Sequence, residues 1–363
     1  MDIASIVKQA AATSVAGGGQ STLTFSDILR VKERFAIGKN HESLALHLVA
    51  PLKGIIDDGA SPGSKWNGIP LLKTSAVPIN SVVINCSTSI SPVAALEHLH
   101  ASGFKSVVGF NNLVITANGE LAWPGFVRSF HREMDTQLSS WQEIYDSLSD
   151  DQSQMTFLDL VRFRYTSNPE FMRGYRVRLH EQYFESFMDY SNEVFVDAGG
   201  FDGDTTEGFA ALYADYKKIL FFEPSVKNMK AAKQRLGDID RIQYYPAGLS
   251  DTKGELNFNE DGGSASSIKD TGDCKISVDT LDSLVHEKVT FIKMDLEGYE
   301  LKALHGAKGH LRRDRPKLAI AVYHDSSDFR TIFRFIQNLD LDYKVYLRHY
   351  TQGWSETVMY FKP

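Results

Sequence analysis

The sequence predicts an α/β protein built on two parallel sheets, with its chemistry in the second. Three observations predict this. Short apolar runs alternate with helical patterns from about Thr22 to Val127, and again from Glu193 to Pro363. Such alternation implies strands joined by crossover helices. Between these stretches, apolar residues recur at helical spacing in a segment rich in charge and aromatics. The chain has 363 residues, and at roughly 100–200 residues per domain that suggests two domains. The expected organisation is a flexible or helical N-terminus over 1–21, an α/β domain over 22–127, a helical connector over 128–190 and a second α/β domain over 191–363.

In the first sheet, FAIGK (35–39), LKGIIDD (52–58), SVVINCS (81–87) and KSVVGF read as strands. HESLALHLVAP and PVAALEHLHASG (92–103) read as helices, and SPGSKWNGIPLL as turns. In the second, EVFVDAGG, KKILFFEPS, RIQYYPAG, VTFIKMDLEG and KLAIAVYHD are strands. The helices TTEGFAALYADY, VKNMKAAKQRLG, YELKALHGAKGHL and FRTIFRFIQNL lie between and after them. A hairpin is expected within 254–284, and YKVYLRHY and ETVMYFKP close the sheet.

Composition narrows the function. Hydrophobic residues make up 42% and charged residues 23%, ordinary for a globular protein. A net charge of -7 argues against general attraction to nucleic acid. Cys86 and Cys274 stand in no metal-binding spacing, so both are expected as reduced, buried thiols in a cytoplasmic protein. The first twenty residues lack a basic start followed by an apolar core, so no signal peptide is expected. The Ala/Gly/Ser stretch before Ser21 reads as a helix ending in a flexible tether. No run of about 18 apolar residues suggests a membrane span. A homo-oligomer stays open.

Ligands of parallel α/β sheets bind outside the carboxyl ends of the strands. In the second sheet the first strand ends in Asp197, followed by Gly199, Gly200 and Gly203. The second ends in Glu223, and the third near Gly248, Ser250 and Asp251. The fourth ends in Asp295 and Glu297, and the fifth in His324 and Asp325. The glycines let a ligand approach the backbone. A pyrophosphate at the following helix start would be repelled by Asp202, Asp204 and Asp197, and the spacing is not GxGxxG. S-adenosylmethionine, with a sulfonium, an ammonium and no phosphate, tolerates these acids. Glu223 is placed to accept the hydroxyls of an adenosine ribose. The simpler role is an acid at a helix N-terminus.

FVDAGGFDGDT (195–205), FFEPS (221–225), AGLSD (247–251), VDTLDSL (278–284), FIKMDLEGYELKALHGA (291–307) and AVYHD (321–325) resemble the FkbM-type methyltransferases over residues 193–363. The resemblance implies a class I methyltransferase Rossmann-like fold, a seven-stranded sheet with an antiparallel last strand. It also implies S-adenosylmethionine as cofactor and methylation of a hydroxyl on a carbohydrate or other small metabolite. EQYFESF (181–187) resembles the family's lead-in helix, with Gln182 or Tyr183 closing over the cofactor; aromatic packing onto the sheet is the plainer role. Asp197, Gly199, Gly203, Glu223, Ser250, Asp251 and Tyr183 are therefore the expected cofactor residues.

Methyl transfer to a hydroxyl requires loss of its proton. Asp295, Glu297 or His324 can act as general base, or the three can hold a divalent metal such as Mg2+ or Mn2+. Asp295 and Glu297 would face one side if the strand continued through them. The alternative is that they cap the next helix and pair with Lys302 or Lys293. His47, His98 and His310 read as surface residues.

FAIGKN, GIIDDGASPGSKWNGIPLL and VVINCS resemble, more loosely, a degenerate Rossmann-like domain that precedes some FkbM-type methyltransferases. Its first turn offers only Gly38 before Lys39, Asn40 and His41, too bulky for a pyrophosphate. Asp57 and Asp58 can hold a ribose, but a scaffold or acceptor-presenting role fits better. Two other classes stay open: a nicotinamide-dependent oxidoreductase, and a non-catalytic nucleotide or sugar-nucleotide binding protein that keeps the fold.

Overall fold

The computed structural model describes residues 2–12, 21–123, 125–259, 267–268 and 274–363. The chain divides into two compact units. One comprises Met1–Leu138, Met155–Val177 and Tyr350–Ser355; the other comprises Ser139–Gln154, Arg178–His349 and Glu356–Pro363. The expected tether before Ser21 lies outside the described residues.

The first unit begins with α1 (Ile3–Ala12) and α2 (Phe25–Arg30). Then follow β1 (Arg34–Ile37), α3 (His41–Val49), β2 (Ile55–Ile56), β3 (Lys65–Trp66), β4 (Ile69–Leu72), β5 (Val82–Asn85), α4 (Pro92–Ala101), β6 (Ser106–Gly109) and α5 (Phe110–Thr116). Its sheet has the order β3-β4-β2-β1-β5-β6, and only β3 runs antiparallel to its neighbour. Both faces are covered. Ala36, Ile55, Val82, Ile84 and Val108 pack with Leu46 and Leu113 on one side. Phe35, Ile56, Val83 and Val107 pack with Leu96 and Leu99 on the other. Burial on both faces explains why these strands read as continuous apolar runs. The stretch read as turns contains the β3–β4 hairpin, and the strand read over 52–58 shrinks to two paired residues. Cys86 is buried and free.

Helix α6 (Gly125–Ser147) is interrupted by a non-helical Gln137 (φ -127°, ψ 20°), directly before the unit boundary at Leu138. Helix α7 (Asp151–Thr166) follows.

The second unit contains β7 (Val194–Ala198), α8 (Asp204–Leu212), β8 (Lys218–Phe222), α9 (Val226–Arg235), β9 (Ile242–Tyr245), β10 (Gly248–Leu249), β11 (Gly254–Asn259), β12 (Ser267–Ile268), β13 (Cys274–Asp279) and α10 (Leu281–Leu284). It continues with β14 (Phe291–Met294), α11 (Glu300–His305), α12 (Lys308–Asp314), β15 (Lys317–Ala321), α13 (Asp328–Gln337), β16 (Lys344–His349) and β17 (Thr357–Lys362). The main sheet is seven-stranded, in the order β16-β17-β15-β14-β7-β8-β9. Strand β17 is antiparallel to both β15 and β16, as the resemblance implied. Phe195 stacks on Phe291 with ring centroids 4.7 Å apart, and Phe209 and Tyr190 close the cluster. Such aromatic pairs each add roughly 0.5–1.5 kcal/mol beyond the area they bury.

Four readings are corrected here. EQYFESF forms no α-helix; two 3-10 turns, Leu179–Glu181 and Ser186–Met188, flank a left-handed Tyr183 (φ 74°). YELKALHGAKGHL is two helices, because the chain bends at Gly306, where a Cβ would stand 2.0 Å from the Ser250 carbonyl oxygen. The third main-sheet strand stops at Tyr245; β10 leaves it for a separate sheet ordered β10-β13-β11-β12, in which β11 pairs antiparallel with both β12 and β13. His310 is buried rather than exposed, its ring held between Asp314 (2.8 Å) and the Val285 carbonyl (2.9 Å).

Candidate active site

The loop after β7 is shaped by contacts that exclude side chains. Gly199 has φ 77°, and a Cβ there would stand 1.9 Å from the Asp295 carbonyl oxygen. At Gly200 it would meet the Phe221 ring at 2.2 Å. The amides of Gly199 and Gly200 both donate to the Phe222 carbonyl, and Gly203 starts α8 in a left-handed conformation. These glycines set the tight packing between β7, β14 and β8.

Asp197 is fully buried. Its carboxylate faces Lys293 at 3.0 Å and accepts from the Thr206 hydroxyl at 2.7 Å. The Lys293 ammonium also donates to the Gly199 carbonyl at 2.7 Å. Asp197 thus pins the loop from beneath. Asp202 is matched by Arg235 at 2.7 Å, so two of the three acids read as repelling a pyrophosphate are already paired.

Glu223 lies just past the end of β8 and is 5% exposed. One oxygen accepts from the Ser225 amide (2.8 Å), the other from the Phe201 amide (3.0 Å). Asn228 makes only a marginal 3.5 Å contact. Two strong bonds leave acceptor capacity on a carboxylate, which has about four lone-pair sites. Burial pushes the carboxyl up to about 7 against the backbone bonds that lower it. The helix after it is capped by Ser225, whose side chain accepts from the Asn228 amide.

Ser250 and Asp251 follow β10 of the small sheet and so do not end a main-sheet strand. Ser250 is buried and donates to the carboxylate of Asp251 at 3.2 Å.

At the ends of β14 and β15 the structure gathers the three residues read as catalytic. His324 Nε2 stands 3.3 Å from Asp295 Oδ1 and 3.5 Å from Glu297 Oε2; its Nδ1 is 3.1 Å from Glu300 Oε1. Strand β14 ends at Met294, so strand periodicity does not align Asp295 with Glu297. A left-handed Glu297 (φ 53°) and Gly298 (φ 94°) turn the chain instead. Neither acid caps α11, which has no side-chain cap. Glu300 accepts from the Leu296 amide at 2.6 Å.

Around Asp295, the hydroxyls of Tyr183 and Tyr323 donate to Oδ2 at 2.7 and 3.3 Å. Burial raises the Asp295 carboxyl, but His324, Lys293 and Tyr183 outweigh it and hold it well below the usual range. Burial, with neighbouring acids, pushes Glu297 up to about 8 against the pull of His324. Burial disfavours charge on His324; Glu300 and Asp295 overcome it and raise the imidazole well above its ordinary value.

The model of the Methyltransferase FkbM domain matches residues 197–345. This stretch is similar in sequence to the FkbM methyltransferase domain. The crystal structure of Methyltransferase FkbM from Methylobacillus flagellatus KT aligns with 99% of this chain and 98% of that one, at a TM-score of 0.75 and 21% identity, which shows a common fold. Two weaker likenesses bear on neither substrate nor cofactor. A putative rRNA methylase from Clostridium thermocellum covers 48% of this chain and 89% of its own (TM-score 0.34, 13% identity). A putative methyltransferase from Streptococcus mutans, solved with SAH, covers 51% and 96% (0.34, 17%). No curated protein matches the chain.

Several residues at the site have another role in the sequence reading, or none. Lys293 is buried between Asp197 and the loop carbonyls, 5.2 Å from the Tyr183 ring centroid; its signal is a single cation inside an apolar strand. Glu300 and Tyr323 lie inside quoted motifs without a role. Glu356 accepts from Gln182 at 2.7 Å and is pushed by burial up to about 7; nothing in the sequence marks it. Tyr183 sits against Asp295 and is buried.

Proposed function

We propose that this protein transfers a methyl group from S-adenosylmethionine to a hydroxyl of a carbohydrate or other small metabolite. The observation that carries the reading is Glu223: a buried carboxylate held by two backbone amides beside a glycine loop, with acceptor capacity left for ribose hydroxyls. Gly199, Gly203 and the Asp197–Lys293 pair shape the loop that the cofactor lies against. Ser250 and Asp251 lie after β10, and Tyr183 reaches the site through Asp295. No helix among the described residues is long and apolar enough to cross a membrane, which suits a small dissolved acceptor.

In the reaction the acceptor oxygen attacks the methyl carbon in line with the departing sulfur. The O–CH3 bond forms as the S–CH3 bond breaks, the sulfonium becomes a neutral thioether, and the hydroxyl proton leaves. Asp295, Glu297 or His324 accepts that proton as general base. Titration calorimetry with S-adenosylhomocysteine tests the cofactor assignment. One-site binding is expected; no binding by folded protein, together with clear binding of NADH, would overturn it in favour of an oxidoreductase. Incorporation of labelled methyl into a metabolite fraction separates an enzyme from a binding protein.

A further inference from the structure

We infer that Asp295, Glu297 and His324 form a binding site for one divalent cation of the Mn2+/Mg2+ kind. Asp295 Oδ1 and Glu297 Oε2 lie 3.3 and 3.5 Å from His324 Nε2, and the three ligand atoms all fall within 4.8 Å of one another. Ligand atoms bonded to one small ion at about 2.0–2.2 Å must stand at such separations. Proximity of acids alone would not make a site. The second observation is His324 itself: its side chain is only 9% exposed, and neither ring nitrogen makes an aligned hydrogen bond among the described residues. A buried imidazole without hydrogen bonds is costly unless something else engages it.

The surroundings decide which side of the ring faces the ion. On the Nε2 side, Asp295 and Glu297 are about a quarter exposed (23% and 26%), so an ion and an acceptor oxygen can enter. On the Nδ1 side, Glu300 is buried. Glu300 Oε1, 3.1 Å from Nδ1, is placed as the carboxylate that orients a metal-bound histidine through its other nitrogen. Asp295 is likewise held by its neighbours. Oδ2 receives the Tyr183 hydroxyl at 2.7 Å, the Tyr323 hydroxyl is shared between both oxygens, and Oδ1 faces His324. Glu297 is held left-handed to aim its carboxylate, a backbone cost that functional sites bear.

Two carboxylates and one imidazole select a hard divalent ion with some affinity for nitrogen, which favours Mn2+ over Mg2+. Bound there, the ion polarises an acceptor oxygen. The inference stands apart from the methyl-transfer reading, because the ion is tested alone. Chelator-treated full-length protein is titrated with Mn2+ and followed by calorimetry and electron paramagnetic resonance. One equivalent is expected, with a nitrogen coupling to the metal that vanishes in His324→Gln. Glu297→Gln should weaken binding at least tenfold, and Glu300→Gln about 10–100-fold as an outer-shell partner. Glu297 is partly exposed, so its variant tests the site even if His324→Gln folds poorly. Absence of Mn2+ binding by the wild type, or binding unaltered in Glu297→Gln and without nitrogen coupling, overturns the inference. A protonated His324 between Asp295 and Glu300 would then serve in place of the ion.

Discussion

The two parallel sheets of this chain put acids in the same topological place and treat them oppositely. Asp57 and Asp58 follow β2 as Glu223 follows β8. Asp57 is joined to Lys39 at 2.7 Å and Asp58 accepts from the Thr74 amide and hydroxyl, each at 2.7 Å. Those partners hold both carboxyls below their ordinary value. Glu223 is buried instead, and its carboxyl is raised. The first turns differ likewise. Asn40 caps α3 and donates to the Cys86 carbonyl, bridging the ends of β1 and β5, while the chain leaves β7 through two successive glycines, Gly199 and Gly200. An acid whose partners lie within the fold is stable without a ligand. An acid fixed by two amides in a buried place gains its partners when a ligand brings donors.

The largest expected effect is on turnover. Asp295→Asn keeps an oxygen to accept the Tyr183 hydroxyl and removes the charge facing His324. Turnover should fall on the order of 10²–10⁴, the range for general acid–base work, with S-adenosylhomocysteine affinity little changed. Near-normal turnover with an established acceptor would remove Asp295 from the mechanism.

Next in size is the loop. Gly199→Ala places a Cβ 1.9 Å from a backbone oxygen at positive φ and should cost about 3 kcal/mol by urea unfolding, together with loss of cofactor affinity. Gly38→Ala meets backbone at 2.9 Å with φ 107° and should lower stability alone. Equal losses of cofactor affinity in the two variants would erase the contrast between the sheets.

Glu223→Ala should weaken S-adenosylhomocysteine by about 1.5–3 kcal/mol per lost bond to a charged acceptor, or roughly 10–150-fold. Because the folded carboxyl titrates near 7, above its ordinary 4.5, the folded state holds this proton more tightly. Its contribution to stability is therefore greatest below about pH 4.5 and declines as pH rises towards 7. Ribose hydroxyls donate best to the ionised form, so cofactor affinity should rise from pH 6 to 8. A calorimetric pH series checks this, and in Glu223→Gln the dependence should flatten.

The alternation of apolar strands and helices made both sheets legible, because strands buried on two faces must be apolar throughout. The glycine loop, Glu223 and the Asp295–His324 pairing were legible because chemistry at strand ends has few places to stand. What escaped depends on tertiary approach. His310 looked exposed on a polar helix until Val285 and Asp314 closed on it. Glu356 reaches the site only because β17 runs antiparallel beside β15. The left-handed turn at Glu297 replaced a strand that its sequence neighbours suggested. Lys293 stands out in the sequence as an anomaly, but its pairing with Asp197 emerges only from the β7–β14 register that sets the two opposite each other.

The smallest expected effect separates the two sheets most sharply. Asp58 is more than half exposed, and its bonds go to Thr74 at the start of a short 3-10 turn. Removing them in Asp58→Ala frees a solvent-accessible amide and hydroxyl that water can satisfy. The loss of stability should therefore stay near 0.5–1 kcal/mol, the net value of ordinary hydrogen bonds. Affinity for S-adenosylhomocysteine should not move, since the acid has its partners without any ligand. Calorimetry on Asp58→Ala beside Glu223→Ala measures both acids on one scale. A tenfold loss in Asp58→Ala would mean that the first sheet also holds a ribose and that its internal partners yield to a ligand, which would end the distinction drawn between the two strand ends.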